Sequence, residues 1–211
     1  MMHKNNKNSG RRIAIAKGIA LLLTIVGLLT PTTSVAADLP MNFQASVMVT
    51  QSGMPGPRTS MIEIRVREWT TDEEREQVLS EIKEASAQST RNRNRAVARA
   101  LRGASTVGSM NFQAQTSWPI RYSRMYQGTD GTVRIVLATD RPVSFTEALN
   151  QGSAVGDFDV TIVELTLDAE GNGEGVLSLG TEVRWNDKDE KLEVTNFSSQ
   201  PIKLGNVRRT H

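Results

Sequence analysis

Apolar and polar residues alternate with a period of two in several stretches of the chain, the pattern of strands with one buried and one solvated face. Phe43, Ala45, Val47 and Val49 alternate with Gln44, Ser46, Met48 and Thr50, and Ile62, Ile64 and Val66 with Glu63, Arg65 and Arg67. Residues 52–57, Ser-Gly-Met-Pro-Gly-Pro, suit a reversing loop between the two runs, which predicts a long-looped hairpin. The pattern returns at Trp118, Ile120 and Tyr122, breaks at 127–131 and resumes through Val133, Ile135 and Leu137, the clearest hairpin in the chain. Residues 157–167, 175–185, 191–197 and 201–207 read as further strands between glycine-rich or charged turns.

A different period occupies residues 72–103. Thr71-Asp72-Glu73-Glu74 forms a capping box with acidic residues in the first turn, and Val78, Leu79 and Ile82 give a narrow apolar stripe. Val97, Ala100 and Leu101 repeat at helical spacing, with Gly103 suited to the residue past a helix end. This segment is expected to be a helical hairpin inserted among strands. Residues 144–150 suit a short helix capped by Ser144, with Glu147 three residues on. Met41-Asn42-Phe43-Gln44-Ala45 recurs at 110–114. A five-residue match falls short of a structural repeat, and two similar strand entries account for it better than a duplication.

The first 37 residues change the charge and place the chain. Lys4, Lys7, Arg11, Arg12 and Lys17 precede an apolar run of 12 residues, 18–29, and small residues end at Ala36-Ala37, the three parts of a secretory signal peptide. Residues 38–211 are then expected to form one domain, secreted or periplasmic, in a bacterial cell. The run is shorter than the roughly 20 residues that span a bilayer, so membrane attachment would come only from an uncleaved leader. Arg11-Arg12-Ile13-Ala14-Ile15 is similar to a twin-arginine signal without its aromatic residue, and general secretory export is the favoured route. The leader holds 5 of the 25 Lys and Arg and none of the 23 Asp and Glu, which leaves 20 basic against 23 acidic side chains, a net −3. The basic pI of 9.1 belongs to the whole chain, and no nucleic-acid partner is expected.

The absence of cysteine excludes disulfides, thiolate chemistry and a lipid-anchored N-terminus. His3 lies in the leader and His211 ends the chain, so histidine-based catalysis has no candidate. Glu164 is the one carboxylate on an apolar face, following Phe158, Val160 and Ile162 in alternation. It is a weak catalytic candidate, against the plainer reading of a structural pair with an arginine such as Arg134. Asp168, Glu170, Asn172 and Glu174 place oxygen side chains at alternate positions like the opening of a calcium loop. The closing position is Leu179, where that loop needs glutamate, so a glycine-rich turn is the favoured reading, calcium the residual one, and no cofactor is expected. Arg91, Arg95, Arg99 and Arg102 share a helix face, joined by Arg93, and the acidic first helix is expected to offset them. Trp69, Trp118 and Trp185 read as core residues beside strand ends more readily than as a ligand platform.

Residues 138–142, Ala-Thr-Asp-Arg-Pro, residues 163–168, Val-Glu-Leu-Thr-Leu-Asp, with Gly173-Glu174-Gly175, and Pro201-Ile202-Lys203-Leu204 with Asn206-Val207-Arg208 carry a resemblance. Together with Glu68-Trp69-Thr70 they resemble a family of uncharacterised secreted bacterial proteins with a TDRP turn, an IEL strand and a C-terminal PxxLxxVR strand. The resemblance covers most of the chain after the leader and implies a common fold and export, with no catalytic residues; the arginines at 91–95 depart from the pattern. The expected fold is α+β, mostly antiparallel β, a sandwich or open barrel with a two-helix insertion at about 72–103. The expected function is a non-enzymatic binding or structural module of the periplasm or cell envelope, meeting an envelope or extracellular ligand through a strand face or the loops at 52–57 and 127–131. The alternative is a carboxylate-dependent extracytoplasmic hydrolase.

Overall fold

The computed structural model describes residues 23–24, 39–49, 58–112, 116–141, 143, 160–178, 181–188, 191–196 and 201–210. The expected leader apart from residues 23–24, the loop expected at 52–57, the helix expected at 144–150 and Phe158 lie outside the described residues.

The elements run β1 (Leu23–Thr24), β2 (Met41–Val49), β3 (Arg58–Val66), α1 (Asp72–Ser86), α2 (Thr90–Gly103), β4 (Gly108–Phe112), β5 (Thr116–Gln127) and β6 (Val133–Thr139). They continue with β7 (Thr161–Leu167), β8 (Asn172–Ser178), β9 (Thr181–Asn186), β10 (Lys191–Asn196) and β11 (Ile202–Thr210). The fold is α+β with two helices inserted, as the periodicity indicates. Of the two β architectures the barrel is the one found, and it closes: every neighbour in the order β11-β2-β3-β4-β5-β6-β7-β8 is antiparallel, and β8 pairs back with β11. Strand order follows chain order except that β9 and β10 leave between β8 and β11 to form a separate sheet.

Alternation explains the closure. Phe43, Ile62, Ile64, Phe112, Trp118, Ile135, Leu165, Leu177 and Leu204 are all buried in one cluster inside the barrel. An eight-stranded barrel is just wide enough for side chains to fill, so this interior is a packed core. The outward residues of β2 and β3 include the polar Gln44, Ser46, Glu63 and Arg65 and the exposed Met48 and Met61. The repeated Met-Asn-Phe triplets flank one strand: Phe43 and Met110 both lie opposite Ile64, from its two sides.

Two irregularities re-aim side chains. β11 bulges at 205–208, where Asn206 takes a positive φ of 50° and Ser46 Oγ donates to the Gly205 carbonyl at 2.8 Å. In β5 the ladder slips between Ile120 and Tyr122. Strict alternation from Trp118 would point Tyr122 inward; the extra residue, Arg121, reverses the phase, so that Ser123 is buried and Tyr122 stands on the outer wall.

The helical hairpin sits where the sequence places it. The Thr71 hydroxyl accepts from the Glu74 N–H at 3.2 Å and the Glu74 carboxylate accepts from the Thr71 N–H at 3.4 Å, the expected capping box. α2 runs through Gly103 itself, and Ala104 leaves in extended geometry, so no left-handed glycine cap forms. The residues leading into α1 are stitched to β5: Ser123 N–H donates to Thr70 Oγ1 at 2.9 Å, and Ser123 Oγ donates to the Glu68 carbonyl at 2.7 Å.

Candidate binding cleft

α1 and α2 lie on the outside of the barrel with Val78, Ile82, Val97, Ala98 and Leu101 buried beneath them. The wall they face is the outer side of β6 and β7. β6 is apolar on both sides there, because Ile135 and Leu137 fill the barrel while Val136 and Ala138 face outward. The β9–β10 sheet packs against both helices. Three units thus meet without filling the space between them.

That space is a half-open cleft of about 870 Å³. Its floor is Val136, Ala138, Val160 and Ile162; one side is Val78, Leu79 and Ile82 of α1, spaced to share a helix face. The far side is Val183 and Trp185 of β9 with Leu192 and Val194 of β10. Tyr122 and Tyr126 close one end, turned outward by the β5 bulge. Their phenols are hydrogen-bonded, and burial foremost, with Tyr126 beside it, raises the Tyr122 pKa well above the ordinary tyrosine value. Arg75, Glu76, Lys83 and Asp187 supply charge to the lining. Lys83 Nζ rests 4.2 Å from the centre of the Trp185 ring, a cation–π contact. The arrangement presents a mixed surface, a little more than half of it apolar, with charged and phenolic groups making up the rest.

Glu164 lies on the same outer face as Ile162, outside the cleft, and is paired with Arg134: Nε stands 2.7 Å from Oε1, and Nη2 donates to Oε2 at 3.0 Å. A glycosidase sets two carboxyl groups across the scissile bond, whereas this one faces a guanidinium. Asp168 and Asn172 form the β7–β8 turn, where Asp168 Oδ1 accepts from the Asn172 N–H at 2.8 Å and Gly171 takes φ +82°. Glu170 and Glu174 are exposed beside it, and among the described residues no three His, Cys, Asp or Glu side chains converge to hold a metal ion. The turn at 127–131 is tight, with Gly128 N–H donating to Thr132 O at 2.8 Å, and lies away from the cleft.

Arg91, Arg95, Arg99 and Arg102 are exposed on α2, but Arg93 is buried and donates through Nη1 to the Gln88 and Ser86 carbonyls at 3.1 and 3.4 Å, closing the end of α1. Burial, and then the nearby Arg184 charge, lowers its pKa. Trp118 is core and Trp69 packs against the core, while Trp185 is a cleft wall.

The segments behind the resemblance hold the scaffold: Asp140 lies 3.5 Å from both Arg102 and Arg121, joining the end of α2 to the β5 bulge, and Leu204, just before the β11 bulge, and Val207, within it, enter the core. The cleft itself was not anticipated from sequence. Its signal is the unbroken run Ile135-Val136-Leu137-Ala138, where alternation fails because both faces of β6 are covered. No protein-family model, no curated protein and no solved structure matches the chain.

Proposed function

We propose that the protein is an exported, non-enzymatic binding module of the periplasm or cell envelope, and that its ligand is apolar and occupies the cleft between the helical hairpin, the outer wall of β6–β7 and the β9–β10 sheet. The observation that carries the reading is the contrast between a filled barrel and an open apolar space of about 870 Å³ beside it. Barrels that bind ligands inside leave room there; here Trp118, Phe43 and Phe112 occupy it.

The test is titration with a solvent-sensitive apolar fluorophore, on the protein and on Leu79→Trp. Leu79 is half-buried on the cleft face of α1, so a larger side chain enters the cleft without displacing the core. Binding should weaken by at least ~tenfold in the variant, about 1.4 kcal/mol. Equal binding by both proteins would overturn the site. Fractionation of expressing cells tests export separately: intact chain confined to the cytoplasm would remove that part of the reading.

A further inference from the structure

The β9–β10 sheet has one edge that the fold leaves for another strand. β9 covers one side of β10, and β1 covers the other, antiparallel, with Leu23 opposite Val194 and Thr24 opposite Glu193. β1 comes from the apolar run 18–29 of the expected leader. Among the described residues nothing else pairs with that edge. On the same strand Leu192 and Val194, two residues apart and therefore on one face, line the cleft.

An open strand edge carries a row of N–H and C=O groups that another backbone satisfies best, and a groove beside it receives the alternate side chains of the added strand. Glu193, on the opposite face of β10, is held within the sheet: Arg184 Nη2 and Asn186 Nδ2 donate to its two oxygens at 2.7 and 2.6 Å. The cleft face of β10 is thereby left apolar. We propose that this edge and the cleft together form a peptide-docking site, whose ligand is an extended apolar peptide that adds to β10 as an antiparallel strand. The chain's own residues 23–24 hold that place in the full-length protein and vacate it when the leader is removed. The inference rests on the cleft being the binding site, and adds the chemical class of its ligand.

Of the described elements, the chain from residue 38 onward keeps all eight barrel strands, both helices, β9 and β10, and lacks β1. The probes are a peptide of residues 18–29 with lysines added at its ends for solubility, the same peptide with N-methylated backbone amides, and the apolar fluorophore. The unmodified peptide should bind the shortened chain and slow hydrogen exchange at 191–196, with slow exchange in the barrel strands reporting an intact fold. N-methylation, which removes the donors of a strand ladder, should weaken binding at least ~tenfold, about 1.4 kcal/mol. The full chain should bind the peptide ~tenfold or more weakly, because its own segment competes at high effective concentration. Equal binding of the two peptides, or binding without protection at 191–196, would overturn strand addition and leave the cleft reading standing. If the fluorophore also fails to bind, the cleft reading falls with it.

Discussion

The backbone N–H of Trp185 donates to the Ser86 hydroxyl at 2.9 Å, across 99 positions of chain. The same hydroxyl donates to the Ile82 carbonyl at 2.8 Å, so one side chain ties the last turn of α1 to β9. Among the described residues the β9–β10 sheet shares no ladder with the barrel, and this tie fixes the cleft wall against the helix. Ser86→Ala leaves the Trp185 N–H without its acceptor and should cost about 1 kcal/mol. The expected signature is local: hydrogen exchange quickens at 181–196 and tryptophan emission changes as Lys83 leaves the ring, while the barrel amides hold. A uniform rise across the barrel would show that Ser86 supports the whole fold.

Two glycines five residues apart should respond to alanine with opposite sign. A Cβ on Gly103, in the last turn of α2, meets nothing within 4 Å. Gly103→Ala should therefore stabilise by about 0.5–1 kcal/mol, through reduced freedom of the unfolded chain. A Cβ on Gly108 would overlap the Arg65 carbonyl oxygen across the β3–β4 ladder. Arg67 N–H donates to the Val107 carbonyl at 2.8 Å just beside it, which limits how far the strand can shift. Gly108→Ala should destabilise by about 1–3 kcal/mol, and chemical denaturation of the two variants distinguishes the signs directly.

Tyr122 makes stability sensitive to alkali. Burial raises its folded pKa above the unfolded value of about 10. The folded state therefore holds the proton more tightly, and the contribution is complete below pH 10 and is lost as pH rises past the ordinary tyrosine range. Tyr122→Phe should lower stability at neutral pH by about 1 kcal/mol, for the lost Tyr126 hydrogen bond, and should flatten the decline above pH 10. Denaturation midpoints between pH 8 and pH 11 measure it, and parallel declines in both proteins would place the alkaline sensitivity elsewhere.

The period-two stretches locate strands well because each has one face in the barrel core, and the 72–103 hairpin is legible because its capping box and apolar stripes are local features. Closure is a different kind of information. Whether eight strands form a sandwich or a barrel depends on β11 meeting β2, a pairing between opposite ends of the described domain that no local pattern encodes. The stretch 175–185 alternates like one strand, yet it divides into β8 and β9, which belong to two sheets. Alternation from Trp118 puts Tyr122 on the wrong face because one inserted residue, Arg121, reverses the phase without disturbing the look of the sequence. Glu164 could be narrowed in advance to an apolar face with Arg134 as partner, and the register makes the two diagonal neighbours: Glu164 lies opposite Val136, and Arg134 two residues along, opposite Thr166. The cleft depends on seven separated segments converging, and only the continuous apolar run of β6 hints at it.

The seam between β11 and β2 also sets an order of events. β2 is among the first strands to be synthesised and β11 the last, so for most of the time the chain is being made, β2 has no partner on one side and the barrel has no inside. The core residues of β2 remain committed to a cavity that does not yet exist. Such long-range closure makes folding slow relative to local helix formation. Until β11 pairs with both β2 and β8, the other seven barrel strands can make only an open sheet with two bare edges.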